Sequence, residues 1–267
     1  MVTFIAHIRK DTDERVANLS LVLSYYRKIA PGCKFVVVED DSVKNFEYLS
    51  IERDVEYYYI HNTGSYNKCA GYNYGLSKCK ESMICFIDID CIISDVNLKQ
   101  SLKTVNETGG ICIGYNGTCF YFDYSVKRQI TRNNLNIELY DWLDSFIDKN
   151  KITPLYTNEH YHVANLKAVG GSLFGNKEVF QSIGGFNPNF NGWGYEDNEI
   201  IRRANKLGVA IYYINTDKPY LFHLPHVSVT TKNKEHMHSA YQNNENEYLK
   251  ILNMTKNDLK DYINTWS

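Results

Sequence analysis

The chain has 267 residues, of which 43% are hydrophobic and 22% are charged, as is typical of a soluble globular protein. These proportions exclude a disordered tail protein, a collagen and a coiled coil. The 29 Lys and Arg nearly balance the 31 Asp and Glu, and the net charge of -2 disfavours general nucleic-acid binding, which depends on neutralising phosphates. The unusual feature is the count of 22 Tyr, which fits either AT-rich coding DNA or a surface that stacks on sugars.

The N-terminal residues lack a basic segment followed by an apolar core, so the sequence predicts no signal peptide. It also predicts no transmembrane segment, because no stretch approaches the roughly 20 apolar residues that span a bilayer. The seven cysteines lack the spacing of zinc ligands, and we expect reduced, buried thiols. We therefore expect a cytoplasmic protein, with peripheral membrane or oligomer contacts left open for its polar C-terminal region.

Apolar runs that alternate with helical spacings predict an α/β fold over the first 110 residues. Strands are predicted at residues 2–8, 34–38, 55–60 and 83–87, with helices between the first two and over 65–78. This alternation predicts a parallel sheet with right-handed crossovers, in which ligands bind outside the carboxyl ends of the strands. The polar residues that follow the strands should therefore share one rim: Arg9, Asp40, Asp41, Asp88 and Asp90.

The pattern changes after residue 110. We predict, in order, a hairpin over 111–122 around Asn116-Gly117, a helix over 136–149, irregular structure over 152–168, a strand over 170–175, a short helix, a loop over 184–195, a helix over 196–207 and a β-like run over 209–222. The polar region from residue 232 is expected to be helical. Because no clear linker or repeat interrupts the chain, we interpret it as one domain over 1–267, divided into 1–110, 111–230 and a helical extension over 231–267.

Asp88-Ile89-Asp90 directly follows the predicted strand over 83–87. In an extended segment, residues i and i+2 point the same way, so both carboxylates can share one divalent cation and its bound diphosphate. The tripeptide is common, and a solvated strand end is the alternative interpretation. A calcium-binding loop is disfavoured, because Ile93 stands at the sixth position, where that loop needs a glycine.

The order of the motifs carries more information than any one of them. Along the chain the motifs are Val36–Ser42 with its two Asp, Asn62–Gly75, Phe86–Ile92, Gly170-Gly171-Ser172, Gly184-Gly185-Phe186 and Gly192-Trp193-Gly194-Tyr195-Glu196-Asp197. In this order they resemble the GT-A glycosyltransferases, and most of all inverting members such as β-1,4-galactosyltransferases and the transferase domains of bacterial chondroitin polymerase. The resemblance covers residues 2–230 and implies an α/β, Rossmann-like GT-A fold with a mixed central sheet.

The resemblance also implies roles for individual residues. It places contacts to a nucleotide-sugar donor in the 1–110 half and in the later glycine motifs, at Arg9, Asp40 or Asp41, Asn67, Lys68, Asp88, Gly171, Trp193 and Gly194. It implies a metal site at Asp88 and Asp90, Asp90 being the better direct ligand, together with His226 or, as second choice, His223. Asp197 would be the catalytic base, and Glu196 would hold acceptor or donor hydroxyls. Tyr195 and Asn198 depart from the galactosyltransferase pattern, which leaves the donor and acceptor open.

The same residues make chemical sense without the resemblance. Glycosyl transfer from a nucleoside diphosphate needs a cation to stabilise the leaving diphosphate and a carboxylate to remove the proton of the acceptor hydroxyl. The Asp88-Ile89-Asp90 motif and the Glu196-Asp197 pair supply these two roles separately. The structural alternatives are an acidic helix N-terminus for Glu196-Asp197 and satisfied strand-end histidines for His223 and His226.

We therefore expect a metal-dependent inverting glycosyltransferase that uses Mn²⁺ or Mg²⁺. It would move a hexose or N-acetylhexosamine from a UDP-sugar to a hydroxyl of a glycan or glycoconjugate, with no nucleic-acid partner. A haloacid-dehalogenase-type phosphatase normally carries its DxD motif on the first strand, whereas three predicted strands precede Asp88. A sugar nucleotidyltransferase would show a glycine-rich loop after the first strand, and a carbohydrate-binding module would not explain two separated acid clusters.

Overall fold

The structure is a computed structural model that describes residues 1–133, 139–153, 156–165, 167–192, 194–227 and 234–266. Its strands are, in chain order, β1 Thr3–Ile8, β2 Lys34–Asp41, β3 Val55–His61, β4 Met83–Ile87, β5 Cys91–Ile93, β6 Ile111–Ile113, β7 Cys119–Phe122, β8 Tyr161–Asn165, β9 Ser172–Asn176, β10 Ile211–Tyr213 and β11 Leu221–His223. Its α-helices are α1 Asp13–Ile29, α2 Lys68–Lys78, α3 Asp95–Thr108, α4 Tyr124–Asn133, α5 Leu139–Asp144, α6 Lys177–Ser182, α7 Glu196–Leu207, α8 Lys234–Asn253 and α9 Lys256–Ile263.

Seven strands form a central sheet in the order β10-β6-β9-β4-β1-β2-β3. The strands β1 to β4 run parallel, as the βα alternation predicts, but β9 is antiparallel to both β4 and β6. The mixed central sheet expected for a GT-A fold is therefore confirmed. A smaller sheet has the order β5-β11-β7-β8 and lies beyond the carboxyl end of β4 along the chain.

The central strands form the core of the protein. Every residue of β1 and β4 is buried, which explains why both strands read as continuous apolar runs. Phe86 on β4 packs against Tyr72, Phe180 and Phe186, with ring centroids 4.9 to 5.0 Å apart. Burying one phenylalanine contributes about 1.5–3 kcal/mol, so this aromatic cluster fixes the end of β4 just before Asp88.

Side-chain caps set the ends of the helices near the site. Thr12 caps α1 by accepting a hydrogen bond from the backbone N of Arg15 at 3.3 Å. Asn67 caps α2 by accepting one from the backbone N of Ala70 at 2.9 Å, so α2 begins later than the predicted residue 65. A cap of this kind contributes about 1 kcal/mol. The two caps fix the positions at which α1 and α2 begin, at the rim of the sheet.

Several expectations for the second half of the chain are wrong. The predicted hairpin over 111–122 does not form, because β6 joins the central sheet whereas β7 joins the smaller one. The segment 152–168 contains β8 instead of being irregular throughout, and the β-like run over 209–222 divides into β10 and β11 in different sheets. The sequence analysis also missed α3, and α5 is shorter than the predicted helix over 136–149, whose first residues lie outside the described ones.

Other expectations are confirmed. The C-terminal region forms α8 and α9, and all seven cysteines are buried free thiols. In the part of the chain that the structure describes, no helix combines the length and hydropathy needed to cross a membrane.

Candidate active site

The pairing of β11 with β5 brings two histidines to Asp90. His223 lies opposite Cys91 in this antiparallel pair, and the backbone N of Leu224 donates to the carbonyl of Asp90 at 2.7 Å. The Asp90 carboxylate then lies 3.5 Å from His223 Nε2 and 3.0 Å from His226 Nε2. One ligand atom from each of these three residues lies within 4.8 Å of the other two. The structure therefore places both candidate histidines, and not one alone, beside the buried carboxylate.

Asp88-Ile89-Asp90 forms a turn between β4 and β5, so the expectation of an extended segment is wrong. The backbone N of Cys91 closes the turn by donating to the carbonyl of Asp88 at 3.0 Å. Asp88 accepts a hydrogen bond from the Tyr72 hydroxyl at 2.6 Å, whereas Asp90 faces the histidines. The two carboxylates, with Cys91 Sγ, still offer ligand atoms within 4.8 Å of one another, which is close enough for one cation to reach both after a small movement.

The charges around Asp90 favour its ionised form. Burial alone would raise the pKa of Asp90, but His223, His226 and Arg15 outweigh burial and hold it well below its usual range. Burial lowers the pKa of His223, whereas the hydrogen bond with Asp90 overcomes burial and raises the pKa of His226. A metal ligand must be an ionised carboxylate or a neutral imidazole, so a cation binding here would displace any proton held by His226. One carboxylate and two imidazoles form a donor set that a first-row divalent cation can occupy.

Lys68 connects the metal-ligand candidates to the acidic pair at the start of α7. Its Nζ lies 3.0 Å from Asp197 Oδ2 and 3.2 Å from Asp88 Oδ1, and its side chain is only 11% exposed. Glu196 Oε1 lies farther from this nitrogen, at 3.7 Å. Burial alone would lower the pKa of Lys68, but Asp197, Asp88 and Glu196 raise it well above the usual value. A permanently charged ammonium therefore stands between the two acid clusters.

Asp197 occupies an environment suited to proton transfer. Burial raises its pKa, the Lys68 ammonium opposes that rise, and the nearby Glu196 carboxylate adds to it, giving a value of about 7. A base is most effective when its pKa lies near the working pH. The carboxylate packs so closely on Gly170 that a Cβ there would lie 2.1 Å from Asp197 Oδ2. Glu196 supports the preceding loop, since its Oε2 accepts a hydrogen bond from the backbone N of Gly194 at 2.9 Å.

Three of the predicted nucleotide contacts meet at the carboxyl ends of β1 and β2. Arg9 donates from Nε to the carbonyl of Asp40 at 2.6 Å, from Nη1 to the carbonyl of Gly64 at 2.6 Å and from Nη2 to Asp40 Oδ1 at 3.2 Å. The backbone N of Asn67 donates to Asp40 Oδ2 at 3.2 Å. Asp41 lies apart and accepts from the backbone N of Lys10 at 3.1 Å. We call Arg9, Asp40 and Asn67 the nucleoside cluster, after the role that the resemblance implies for them. Lys68, predicted beside them, pairs with both Asp88 and Asp197, and we call this contact the Lys68 bridge.

The glycine positions of the prediction support the turns around the site. Gly171 has φ = 83°, and its carbonyl accepts a hydrogen bond from the backbone N of Asp88 at 3.2 Å. A Cβ at Gly171 would lie 2.9 Å from Cys91 Sγ, so a glycine is needed where this backbone approaches the Asp88 turn. Gly194 has φ = 117° and lies in the loop before α7. Trp193 lies outside the described residues.

A protein-family model described as "Glycosyltransferase like family 2" matches residues 3–228 of the chain. The chain belongs to this glycosyltransferase family. The match spans every motif on which the resemblance was based, and it confirms the enzyme class that the order of those motifs predicts. No curated protein matches this glycosyltransferase.

Solved structures of glycosyltransferases are among those similar to this chain. A Drosophila β1,4-galactosyltransferase 7 mutant, in complex with manganese, UDP-Gal and xylobiose, is 13% identical, with a TM-score of 0.47 and coverage of 82% of this chain and 66% of that chain. The catalytic domain of the Drosophila enzyme with xylobiose is 14% identical, with a TM-score of 0.48 and coverages of 87% and 73%. A mannosyltransferase from Pyrobaculum calidifontis, with GDP-Man and Mn²⁺, is 16% identical, with a TM-score of 0.48 and coverages of 85% and 57%. The glycosyltransferase thus spans 66% of the first of these chains and 57% of the third.

The site also contains two side chains, Tyr72 and His7, to which the sequence analysis assigns no individual role. Tyr72, which bonds Asp88, follows Lys68 by four residues, and this helical spacing could have paired them. His7 is 2% exposed, stacks on Tyr66 with centroids 4.6 Å apart and lies with Nε2 3.8 Å from Asp40 Oδ2. Burial lowers the pKa of His7 to about 3, so this imidazole is neutral. No local sequence signal marks His7, because it lies within an ordinary apolar strand.

The C-terminal helix α8 holds the loop that leads into α7. Tyr195 has φ = 68°, and among the described residues it is the only one other than glycine in the left-handed region. Its hydroxyl donates to Glu245 Oε1 at 2.7 Å and accepts from the Tyr241 hydroxyl at 3.1 Å. Asn244 bonds both the backbone N and the carbonyl of Asn191, at 3.1 and 3.0 Å. A non-glycine residue in this conformation costs about 1–2 kcal/mol, which these contacts offset.

Proposed function

We propose that the chain is a metal-dependent inverting glycosyltransferase that moves a hexose or N-acetylhexosamine from a UDP-sugar to a hydroxyl of a glycan or glycoconjugate. The observation that carries this proposal is the Lys68 bridge. The ammonium of Lys68 lies between Asp197 and Asp88 and forms an ion pair with each carboxylate. One cluster then serves the leaving group and the other serves the acceptor, as a transfer with separate charge stabilisation and proton removal requires.

The metal would be held by Asp90 together with His223 and His226, with Asp88 as an additional carboxylate. When bound, Mn²⁺ or Mg²⁺ supplies positive charge to the leaving diphosphate. The protein contributes a buried, ionised Asp90 and imidazoles fixed by strand pairing and by the Leu224 hydrogen bond. These constraints hold the ligand atoms together before any cation binds.

The donor nucleoside would bind at the nucleoside cluster. We assign the contact with the nucleobase to Asp40 and not to Asp41. Asp40 accepts hydrogen bonds both from Arg9 and from the backbone N of Asn67 at the start of α2. The carboxylate of Asp41 instead bonds the backbone of Lys10 and of Ser42, the latter at 2.7 Å. Gly194 and the turn at Gly171 would line the sugar end of the donor, and the predicted role of Trp193 falls outside the described residues.

Asp197 would accept the proton of the acceptor hydroxyl as its oxygen attacks the anomeric carbon. Its pKa of about 7 gives a substantial ionised fraction at neutral pH. A base on the side opposite the leaving diphosphate produces attack from the opposite face, and hence inversion. Glu196 would orient a sugar hydroxyl with the carboxylate that also fixes the backbone of Gly194.

A donor screen tests this function. The EDTA-treated protein is incubated with UDP-sugars and GDP-sugars and a panel of sugar acceptors, with and without Mn²⁺, and nucleoside diphosphate release is measured. We expect release from a UDP-sugar that needs both Mn²⁺ and an acceptor, with an inverted anomeric centre in the product by NMR. Full activity after EDTA treatment would contradict the metal site, and a retained configuration would contradict the role of Asp197. A preference for GDP-sugars would overturn the assignment of uracil as the nucleobase of the donor.

A further inference from the structure

Arg15, in the first turn of α1, is a cation of the site without a role so far. Its side chain is 14% exposed, and within the described part of the chain its salt-bridge partner is Asp11, with Arg15 Nε 3.3 Å from Asp11 Oδ1. The pair has poor hydrogen-bond geometry, since both of these buried atoms lack a hydrogen-bond partner among the described residues. Arg9 differs, because its Nε, Nη1 and Nη2 all donate to Asp40 or Gly64. Arg15 therefore keeps donors available for a ligand.

The face of α1 that carries Arg15 lies between the nucleoside cluster and the metal ligands. The guanidinium carbon of Arg15 lies 5.8 Å from the centroid of the Tyr66 ring, and that of Arg9 lies 5.9 Å from the same centroid. Asn18 follows Arg15 by three residues and so shares its face of the helix. Asn18 Nδ2 donates at 3.3 Å to the carbonyl of Pro225, which lies in the segment between His223 and His226.

The charges agree with this position. Burial lowers the pKa of Arg15, but Tyr66, Asp90 and Asp11 outweigh burial and raise it. The Arg15 guanidinium therefore interacts electrostatically with the Asp90 carboxylate. In turn, Arg15 helps to lower the pKa of Asp90 and opposes protonation of His226. The charge of Arg15 therefore acts on the carboxylate of the metal-ligand candidates as well as on Asp11.

We propose that Arg15 binds the diphosphate of the donor. The inference rests on the proposed function, because a diphosphate must connect a nucleoside at Arg9 and Asp40 to a cation at Asp90. A guanidinium presents five donors in a planar fork that matches phosphate oxygens, and its charge strengthens each hydrogen bond. In the free protein Asp11 lies beside the Nε edge of the fork and partly neutralises its charge without a hydrogen bond to Nε.

The test compares a nucleoside diphosphate with the nucleoside alone. UDP is titrated by calorimetry and uridine by NMR, both in diamagnetic Mg²⁺, with GDP and guanosine run in parallel, on the wild-type protein and on Arg15→Gln. We expect Arg15→Gln to weaken UDP binding at least tenfold and to change uridine binding less than twofold. The matched control is Arg53→Gln, which removes the same charge from an exposed position and should change neither affinity.

A second variant separates ligand binding from a structural role of the ion pair. Asp11→Asn removes the carboxylate that partly neutralises Arg15, so we expect UDP to bind as tightly as in the wild type or more tightly. UDP affinity unchanged in Arg15→Gln, an equal loss for UDP and uridine, or equal losses of UDP affinity in Asp11→Asn and Arg15→Gln would overturn the assignment of Arg15. A wild-type protein that binds neither UDP nor GDP would instead overturn the proposed function, and this inference with it.

Discussion

Replacing Asp197 by Asn tests the base directly. The amide keeps the shape of the carboxylate but cannot accept the proton, so kcat should fall by about 10²- to 10⁴-fold, equivalent to about 3–5 kcal/mol of activation free energy. Because the pKa of Asp197 is about 7, the wild-type kcat should rise with pH up to about 7 and level off above it. The variant should show no such rise. Nucleoside diphosphate release at saturating donor and acceptor, measured from pH 5.5 to 8.5, gives both results.

The same substitution should stabilise the fold at alkaline pH. Burial raises the pKa of Asp197 from 3.8 to about 7, so this group contributes stability below pH 3.8 that is lost as the pH rises through 7. A rise of this size corresponds to about 4 kcal/mol, and solvent screening of a side chain that is 26% exposed should roughly halve it. Asp197→Asn should then exceed the wild type in unfolding free energy by about 2 kcal/mol at pH 8, measured by urea denaturation with EDTA.

The matched control is Asp261→Asn, an identical change at an exposed position of α9. It should change neither kcat nor the pH profile. A variant at Asp197 that keeps more than a tenth of the wild-type kcat, or a wild-type profile that is flat from pH 5.5 to 7.5, would refute the assignment of the base. Donor affinity should change little, since Lys68 keeps its contact with Asp88.

Three other substitutions test the surroundings of the base. Gly170→Ala should lower kcat by at least tenfold with little loss of thermal stability, because the new Cβ would lie 2.1 Å from Asp197 Oδ2 and displace it; kinetics and a melting curve check this. Asp90→Asn should weaken Mn²⁺ binding at least tenfold in a direct titration, because it removes the ionised carboxylate between the two histidines. Glu199→Gln should lower the unfolding free energy in urea by about 3 kcal/mol, because it leaves the fully buried Arg203 without its charge partner.

The sequence predicts those parts of the fold that short-range patterns determine. The strands β1, β2 and β4 are recognisable because burial on both faces requires largely continuous apolar runs. The hairpin prediction failed because Asn116-Gly117 is a local turn signal, whereas β6 pairs with β9 and β7 pairs with β11. Long-range pairing decided the outcome there, and no local pattern reports it.

The candidate site shows the same division. The strand-end position of Asp88 and the helix-start position of Asp197 could be predicted from the chain. No local pattern predicts that His223 meets Asp90, and only the family resemblance implied it, because the contact depends on the pairing of β11 with β5, two segments far apart in the chain. The Lys68 bridge depends on how α2 is rotated against the sheet, and the position of Arg15 depends on the packing of α1 against the segment at Pro225.

The contacts between α8 and the Tyr195 loop have a consequence for shortened versions of the enzyme. A fragment that ends at residue 228 would keep every motif of the family match and both acid clusters. It would nevertheless lose Glu245 and Asn244, which hold Tyr195 and Asn191. Such a fragment would retain the proposed donor-binding residues but lose the contacts that hold the segment leading into Asp197. We therefore expect the smallest active fragment to extend beyond the family match and to include α8.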